Sequence, residues 1–163
     1  MKTLLTLLAS MTTFSPQAVA EESATSTGER AAVVKVVQQF FDGMQAKDDA
    51  RLRESCQAGA QFTSGRMTGE GFTVRQVSAE TSTARLLESK DALLERMWEP
   101  VVQVENRIAV VWTRYDFQVN GKMSHHGTDC FTLLKTDQGW KIVSLVYTVE
   151  PANQTERPSA PPR

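Results

Sequence analysis

From Val101 to Val149 apolar and polar residues alternate with a period of two, and Asn120-Gly121 interrupts the alternation near its middle. Val, Ile, Thr, Tyr, Phe and Trp in that period specify half-buried antiparallel strands. Asn-Gly specifies a two-residue hairpin loop, because that turn needs positive φ at both positions. Asn106-Arg107 and Asp137-Gln138-Gly139 are further turn signals, and together they divide this half into four strands, about 101–105, 108–119, 122–135 and 140–149.

The preceding half has a helical period. Val33, Val36, Val37, Phe40, Phe41 and Met44 form one apolar stripe, with Ser26 and Glu29 spaced as a capping box at its start. Asp48 or Asp49 caps a second, shorter helix through Leu52 to about Ser55, and Gly59, Gly65, Gly69 and Gly71 then break the pattern. Residues 61–85 read as strand or irregular chain. Ser89 caps a third helix carrying Leu93, Leu94, Met97 and Trp98, which Pro100 ends. Helices followed by a meander make an α+β domain, a curved antiparallel sheet with about three N-terminal helices on its concave face.

The ends differ in kind. Met1-Lys2, an apolar run including Leu4, Leu5, Leu7 and Leu8, and Ala18-Val19-Ala20 are the three parts of a signal peptide, with cleavage expected after Ala20. The run is too short and too often interrupted by polar residues to span a bilayer. Residues 21–28 read as a polar spacer, 29–150 as the domain, and 151–163, with four prolines, as a disordered tail. The mature chain is thus expected to be periplasmic or secreted. Losing Lys2 moves the formal charge from −1 to −2, and the remaining basic residues are scattered, which argues against a nucleic-acid partner.

Hairpin geometry fixes which strand residues share a face. With Val119 opposite Lys122 and no irregularity, Asp116 faces His125, Arg114 faces Gly127, Trp112 faces Asp129 and Val110 faces Phe131. A four-residue turn from Thr136 to Gly139 adds Trp140 and Ile142 to that face. The face combines an apolar floor with a polar group of Arg114, Asp116, His125 and Asp129 beside Trp112, so it is expected to meet the helices and enclose a small-ligand pocket. The plain alternative is two cross-strand ion pairs, Asp116–His125 and Arg114–Asp129, on a wet face.

The opposite face, with Val111, Thr113, Tyr115, Phe117, Leu145 and Tyr147, is too apolar to stand in water. It is expected to pack in a homodimer or beneath the 61–85 segment. The same register turns Cys130 away from the helices bearing Cys56, so two free thiols are expected.

The run Trp112-Thr113-x-Tyr115-x-Phe117, Gly121-Lys122, Ser124-His125-x-Gly127-x-Asp129-x-Phe131-x-Leu133 and Gly139-Trp140-Lys141-Ile142 resembles the nuclear-transport-factor-2-like superfamily, and within it the putative lumazine-binding group. The resemblance implies a conical α+β barrel, often dimeric, whose interior binds a small molecule or hosts acid/base chemistry. At His126 the chain departs from relatives that carry a cysteine after the histidine.

Three functions follow from these expectations. In a binding protein, Trp112, Phe131, Phe40 and Met44 line the cavity while Arg114, Asp116, His125 and Asp129 orient an unidentified small molecule. In an isomerase, dehydratase or cyclase, Asp129 or an Asp116–His125 dyad is the general base. In an interaction domain, the outer sheet face takes a partner chain. No cofactor is expected. The only histidines are adjacent and point to opposite faces, so no two-histidine metal site is expected on this strand.

Overall fold

The computed structural model describes residues 16–152, and their side chains from Thr27 onward. The elements run α1 (Pro16–Ala46), α2 (Asp49–Ser55), β1 (Cys56–Thr68), β2 (Gly71–Ser78), α3 (Ala79–Glu88), β3 (Leu93–Glu105), β4 (Ile108–Val119), β5 (Lys122–Thr136) and β6 (Gly139–Pro151). The strands form one curved, unclosed sheet in the order β2-β1-β6-β5-β4-β3. Neighbours are antiparallel except β1 and β6, which run parallel with Phe62 opposite Leu145. The α+β expectation is met.

The apolar stripe of α1 packs on the inner face of the sheet. Val33, Val37, Phe40 and Phe41 are buried against Val111, Phe131, Leu133 and Ile142. Each such side chain contributes roughly 1.5–3 kcal/mol, which dominates the placement of the helix. Polar contacts fix it lengthwise: Lys135 Nζ and Trp140 Nε1 donate to the Glu29 carboxylate at 2.6 and 2.8 Å. Glu29 thus ties helix to sheet and caps nothing, because α1 extends back to Pro16 through the residues read as a spacer. The expected signal peptide, 1–20, lies mostly outside the described residues, as does most of the tail. Asp48 caps α2, its side chain accepting from the Arg51 amide at 3.0 Å.

Three expectations about the sheet need correction. First, the segment expected as a third helix is β3, and the third helix is instead Ala79–Glu88, capped by Ser78. Ser89 is the C-cap of that helix. Pro100 stands within β3, an edge strand, at a bulge where Glu99 has φ 48°, a position that proline tolerates. The Thr113 hydroxyl accepts from the Trp98 amide and donates to its carbonyl, satisfying backbone that the bulge frees.

Second, the Asn120-Gly121 turn sets the expected pairs Val119–Lys122 and Gln118–Met123, but β5 then carries one extra residue, Ser124. Phe117 pairs with His125, Asp116 with His126 and Trp112 with Cys130. This shift turns Val111, Thr113, Tyr115 and Phe117 inward and Trp112, Arg114 and Asp116 outward. A bulge leaves one residue unpaired, a cost comparable to one hydrogen bond, about 1 kcal/mol. The regular register would turn Arg114 and Asp116 toward the interior, at several kcal/mol per desolvated ion. The bulge wins.

Third, a bulge at Val143 switches β6, so that Trp140 and Ile142 face inward as expected and Leu145, Tyr147 and Val149 join them. Gly127 of β5 stands against the Thr148 backbone of β6. A Cβ there would collide with the Thr148 carbonyl oxygen and come within 2.8 Å of the Tyr115 ring.

Candidate functional site

The inner face closes on α1 at one end and opens between β1, β2 and α3 at the other, enclosing a cavity of about 550 Å³. That size suits a small organic molecule. Its floor is aromatic: Phe40 meets Phe62 and Phe131 edge-to-face at 5.6 and 6.3 Å between ring centroids. Phe40 and Met44 line the cavity as expected, and Phe131 lies fully buried beneath it.

The polar group within the cavity differs from the expected one. Asp129 points inward from β5 and is 1% exposed. No N–H or hydroxyl donor among the described residues reaches either of its carboxylate oxygens. Its neighbour is a second carboxyl, Glu95 of β3, half-buried in the cavity wall. Burial pushes the Asp129 pKa up. Burial, then the Asp129 charge, pushes Glu95 up as well. Two carboxyls in this setting keep at least one proton at neutral pH, one donating to the other.

Tyr115 and Tyr147 stand beside the pair, with hydroxyls held above the ordinary phenol range by burial and then by nearby carboxylate charge. Tyr115 Oη donates to the Thr148 carbonyl at 2.7 Å. His125 also lines the cavity, stacked on Phe117 at 4.7 Å and 20°. Burial, then Arg66 and His126, lowers its pKa to about 4, so it is neutral at physiological pH. The wall at the mouth carries Arg66 from β1, Arg75 from β2 and Arg85 from α3.

Of the expected site, the cavity therefore brings together His125, Asp129, Phe40 and Met44, with Phe131 below. Trp112, Arg114 and Asp116 lie on the outer face. Asp116 is buried there in a two-bond pair with Arg96, at 2.9 and 2.6 Å, and the Arg96 guanidinium lies 4.9 Å from the centre of the Trp98 ring. Arg114 pairs with Glu99 at 2.9 Å. Neither the Asp116–His125 dyad nor the Arg114–Asp129 pair exists, because the Ser124 bulge places their members on opposite faces.

Glu95, Tyr115, Tyr147 and the three arginines are the cavity residues outside the site expected from sequence. The spacing around Glu95 predicts a helix, the regular register sends the tyrosines to the opposite face, and the arginines fall in a segment without a clear period.

Cys56 and Cys130 are both free, and burial, followed by the charge of Glu80, raises the Cys56 thiol to about 12. Among the described residues no group of three or more His, Cys, Asp or Glu could hold a metal ion, and no helix is long and apolar enough to cross a membrane.

This architecture, a curved unclosed sheet wrapped on three helices around an inner cavity, is the nuclear-transport-factor-2-like fold. Residues 28–148 match the profile of the family described as putative lumazine-binding, and the chain belongs to that family. Among solved structures it is similar to a nuclear-transport-factor-2-like protein of unknown function from Shewanella baltica, with 18% identity, TM-score 0.58 and coverage of 77% of this chain and 97% of that one. It is similar also to a superfamily member from Salmonella enterica, with 12% identity, TM-score 0.61 and coverage of 81% and 98%. A third, described as a putative dehydratase from Streptomyces avermitilis, shares 16% identity at TM-score 0.60 over 77% and 99%. No curated protein matches the chain.

Proposed function

We propose that this protein is an exported small-molecule-binding protein that holds its ligand in the cone cavity. The observation that carries the reading is Asp129, 1% exposed at the inner end of an aromatic-floored space, with the Glu95 carboxyl as its polar neighbour and no N–H or alcohol donor among the described residues on its carboxylate. The single proton shared with Glu95 leaves most of the acceptor capacity of Asp129 unmet, and a ligand donor would recover part of the roughly 1–3 kcal/mol that an unpaired buried polar group costs. The family's description as putative lumazine-binding supports a ligand in general and does not select one.

Native mass spectrometry of the protein purified gently from its own host tests the reading, with Asp129→Asn as control. A defined extra mass that the variant loses supports it. A protein that carries no small molecule and takes up none from a metabolite extract sinks it. Export rests on the leader pattern before Ala20. It predicts a mature chain beginning at Glu21 in the periplasmic or secreted fraction.

An acid/base enzyme is the second reading, favoured by a carboxyl pair with raised pKa values and by neutral His125, two inward positions from Asp129 on β5. A carboxyl poised near neutrality suits proton transfer in a dehydration or isomerisation. The reading requires turnover of the bound molecule, abolished by Asp129→Asn with binding retained.

A homodimer through the outer sheet face is proposed as well, now on Trp112, Val101 and Val146, each more than half exposed there.

A further inference from the structure

Nine arginines lie among the described residues. Six are committed: Arg51, Arg53, Arg96, Arg107 and Arg114 pair with acids, and Arg30 donates to the Val102 carbonyl. The other three, Arg66, Arg75 and Arg85, make no ion pair or guanidinium hydrogen bond with a described residue, and all three line the cavity. They come from three successive elements. Arg66 and Arg75 stand on inward positions of β1 and β2, where Arg66 pairs with Thr73 and Ser64 with Arg75, and Arg85 comes from α3 beside Ser82 and Leu86. All three are exposed, whereas Asp129 is buried. Polarity in the cavity thus runs from carboxyl groups at depth, past aromatic walls, to uncompensated positive charge at the rim.

A ligand that matches this gradient has one anionic end and a flat, mostly apolar body. Guanidinium groups bind carboxylate, sulfonate or phosphate oxygens with paired N–H donors, and here no protein acid competes for them. A second anion at the inner end would meet the carboxyl pair, so that end of the ligand must be uncharged. We propose that the cavity takes an aromatic organic anion, ring inward and anionic group outward, held at the rim by Arg66, Arg75 and Arg85. The proposal rests on the cavity being a binding site and adds its charge and orientation preference.

The test uses two dyes that share an aromatic body, anilinonaphthalene sulfonate and its uncharged parent phenylnaphthylamine, titrated into the full-length mature protein by fluorescence. The sulfonate is expected to bind at least about tenfold more tightly, the worth of one charge-assisted hydrogen bond. Replacing Arg66→Gln, Arg75→Gln and Arg85→Gln together removes that preference and leaves phenylnaphthylamine unchanged. Should the triple variant misfold, added salt weakens only the sulfonate on the wild-type protein. Ser64→Trp, which fills the cavity wall, reports where the dyes sit. If Ser64→Trp expels both dyes but their affinities are equal and insensitive to the arginines and to salt, the anion preference is overturned while the cavity remains a binding site. If Ser64→Trp affects neither dye, both readings fall.

Discussion

His125 of β5 lies opposite Phe117 of β4 and stacks on its ring, 4.7 Å between centroids at 20°. The pairing exists because Ser124 is an extra residue in β5, and it decides which side chains of β4 reach the cavity. Residues that a regular hairpin would send inward stand outside.

Substitutions on the two faces of β4 and its neighbours therefore separate cleanly. Trp112→Ala and Arg114→Gln leave dye affinity in the cavity unchanged, whereas Tyr147→Ala and Phe62→Ala weaken it, because only the latter pair lines that space. Titration of the four variants checks this. Loss of binding on Arg114→Gln would return the regular register to consideration.

Stability should depend on pH through the carboxyl pair. Asp129 and Glu95 have folded pKa values raised above the unfolded value of about 4. Their contribution is complete below that pH and is lost as pH rises through the raised range. His125 acts in the other sense: with a folded pKa of about 4, its contribution is complete above about 6.5 and is lost as pH falls. Between about pH 6.5 and 8, below the thiol and phenol ranges, the carboxyl pair dominates and stability declines. Urea midpoints across that window measure the decline, and Asp129→Asn flattens it. Parallel declines in wild type and variant would place its origin elsewhere.

Gly127→Ala is expected to destabilise the fold by on the order of 3 kcal/mol, at the upper end for overpacking. The added methyl meets the Thr148 backbone carbonyl, which cannot give way without shifting β6 from β5, and it crowds the Tyr115 ring as well. Chemical denaturation checks the magnitude. A loss below about 0.5 kcal/mol, typical of unconstrained surface sites, would show that the two strands separate freely there.

The outer face offers an independent test. Trp112→Glu with Val146→Glu should yield a folded monomer by sedimentation equilibrium, with cavity dye binding retained. A wild-type protein that is already monomeric at micromolar concentration removes the dimer from the account.

Much of the fold was legible because its strongest signals are local. The stripe from Val33 to Met44, the Asp48 cap and the Asn120-Gly121 turn each specify structure within a few residues. Asp129 and His125 were placed on the correct face because β5 keeps its alternation from His125 to Leu133. What failed was non-local. No residue type marks Ser124 or Val143 as the extra one. Each bulge arises from how two strands jointly bury their apolar sides, and a slip of one position exchanges every side chain beyond it. Glu95 is obscured differently: Leu93, Leu94, Met97 and Trp98 have helical spacing, and only the edge position of β3 together with the bulge at Glu99 explains how Pro100 can follow in a strand. The Ala79–Glu88 helix was missed because it buries little more than Ala79, Thr83 and part of Leu86.

The parallel alignment of β1 on β6 also bears on how the chain reaches its native state. Phe62 meets Leu145 across a large separation in sequence, and contacts of that kind form late, after the loop between them has been closed entropically. The hairpins β3-β4, β4-β5 and β5-β6 can zip sequentially from their turns, but the pocket has no wall on its β1 side until the last strand emerges and captures the first. A chain whose β6 has not yet formed would then present an open trough with bare strand edges.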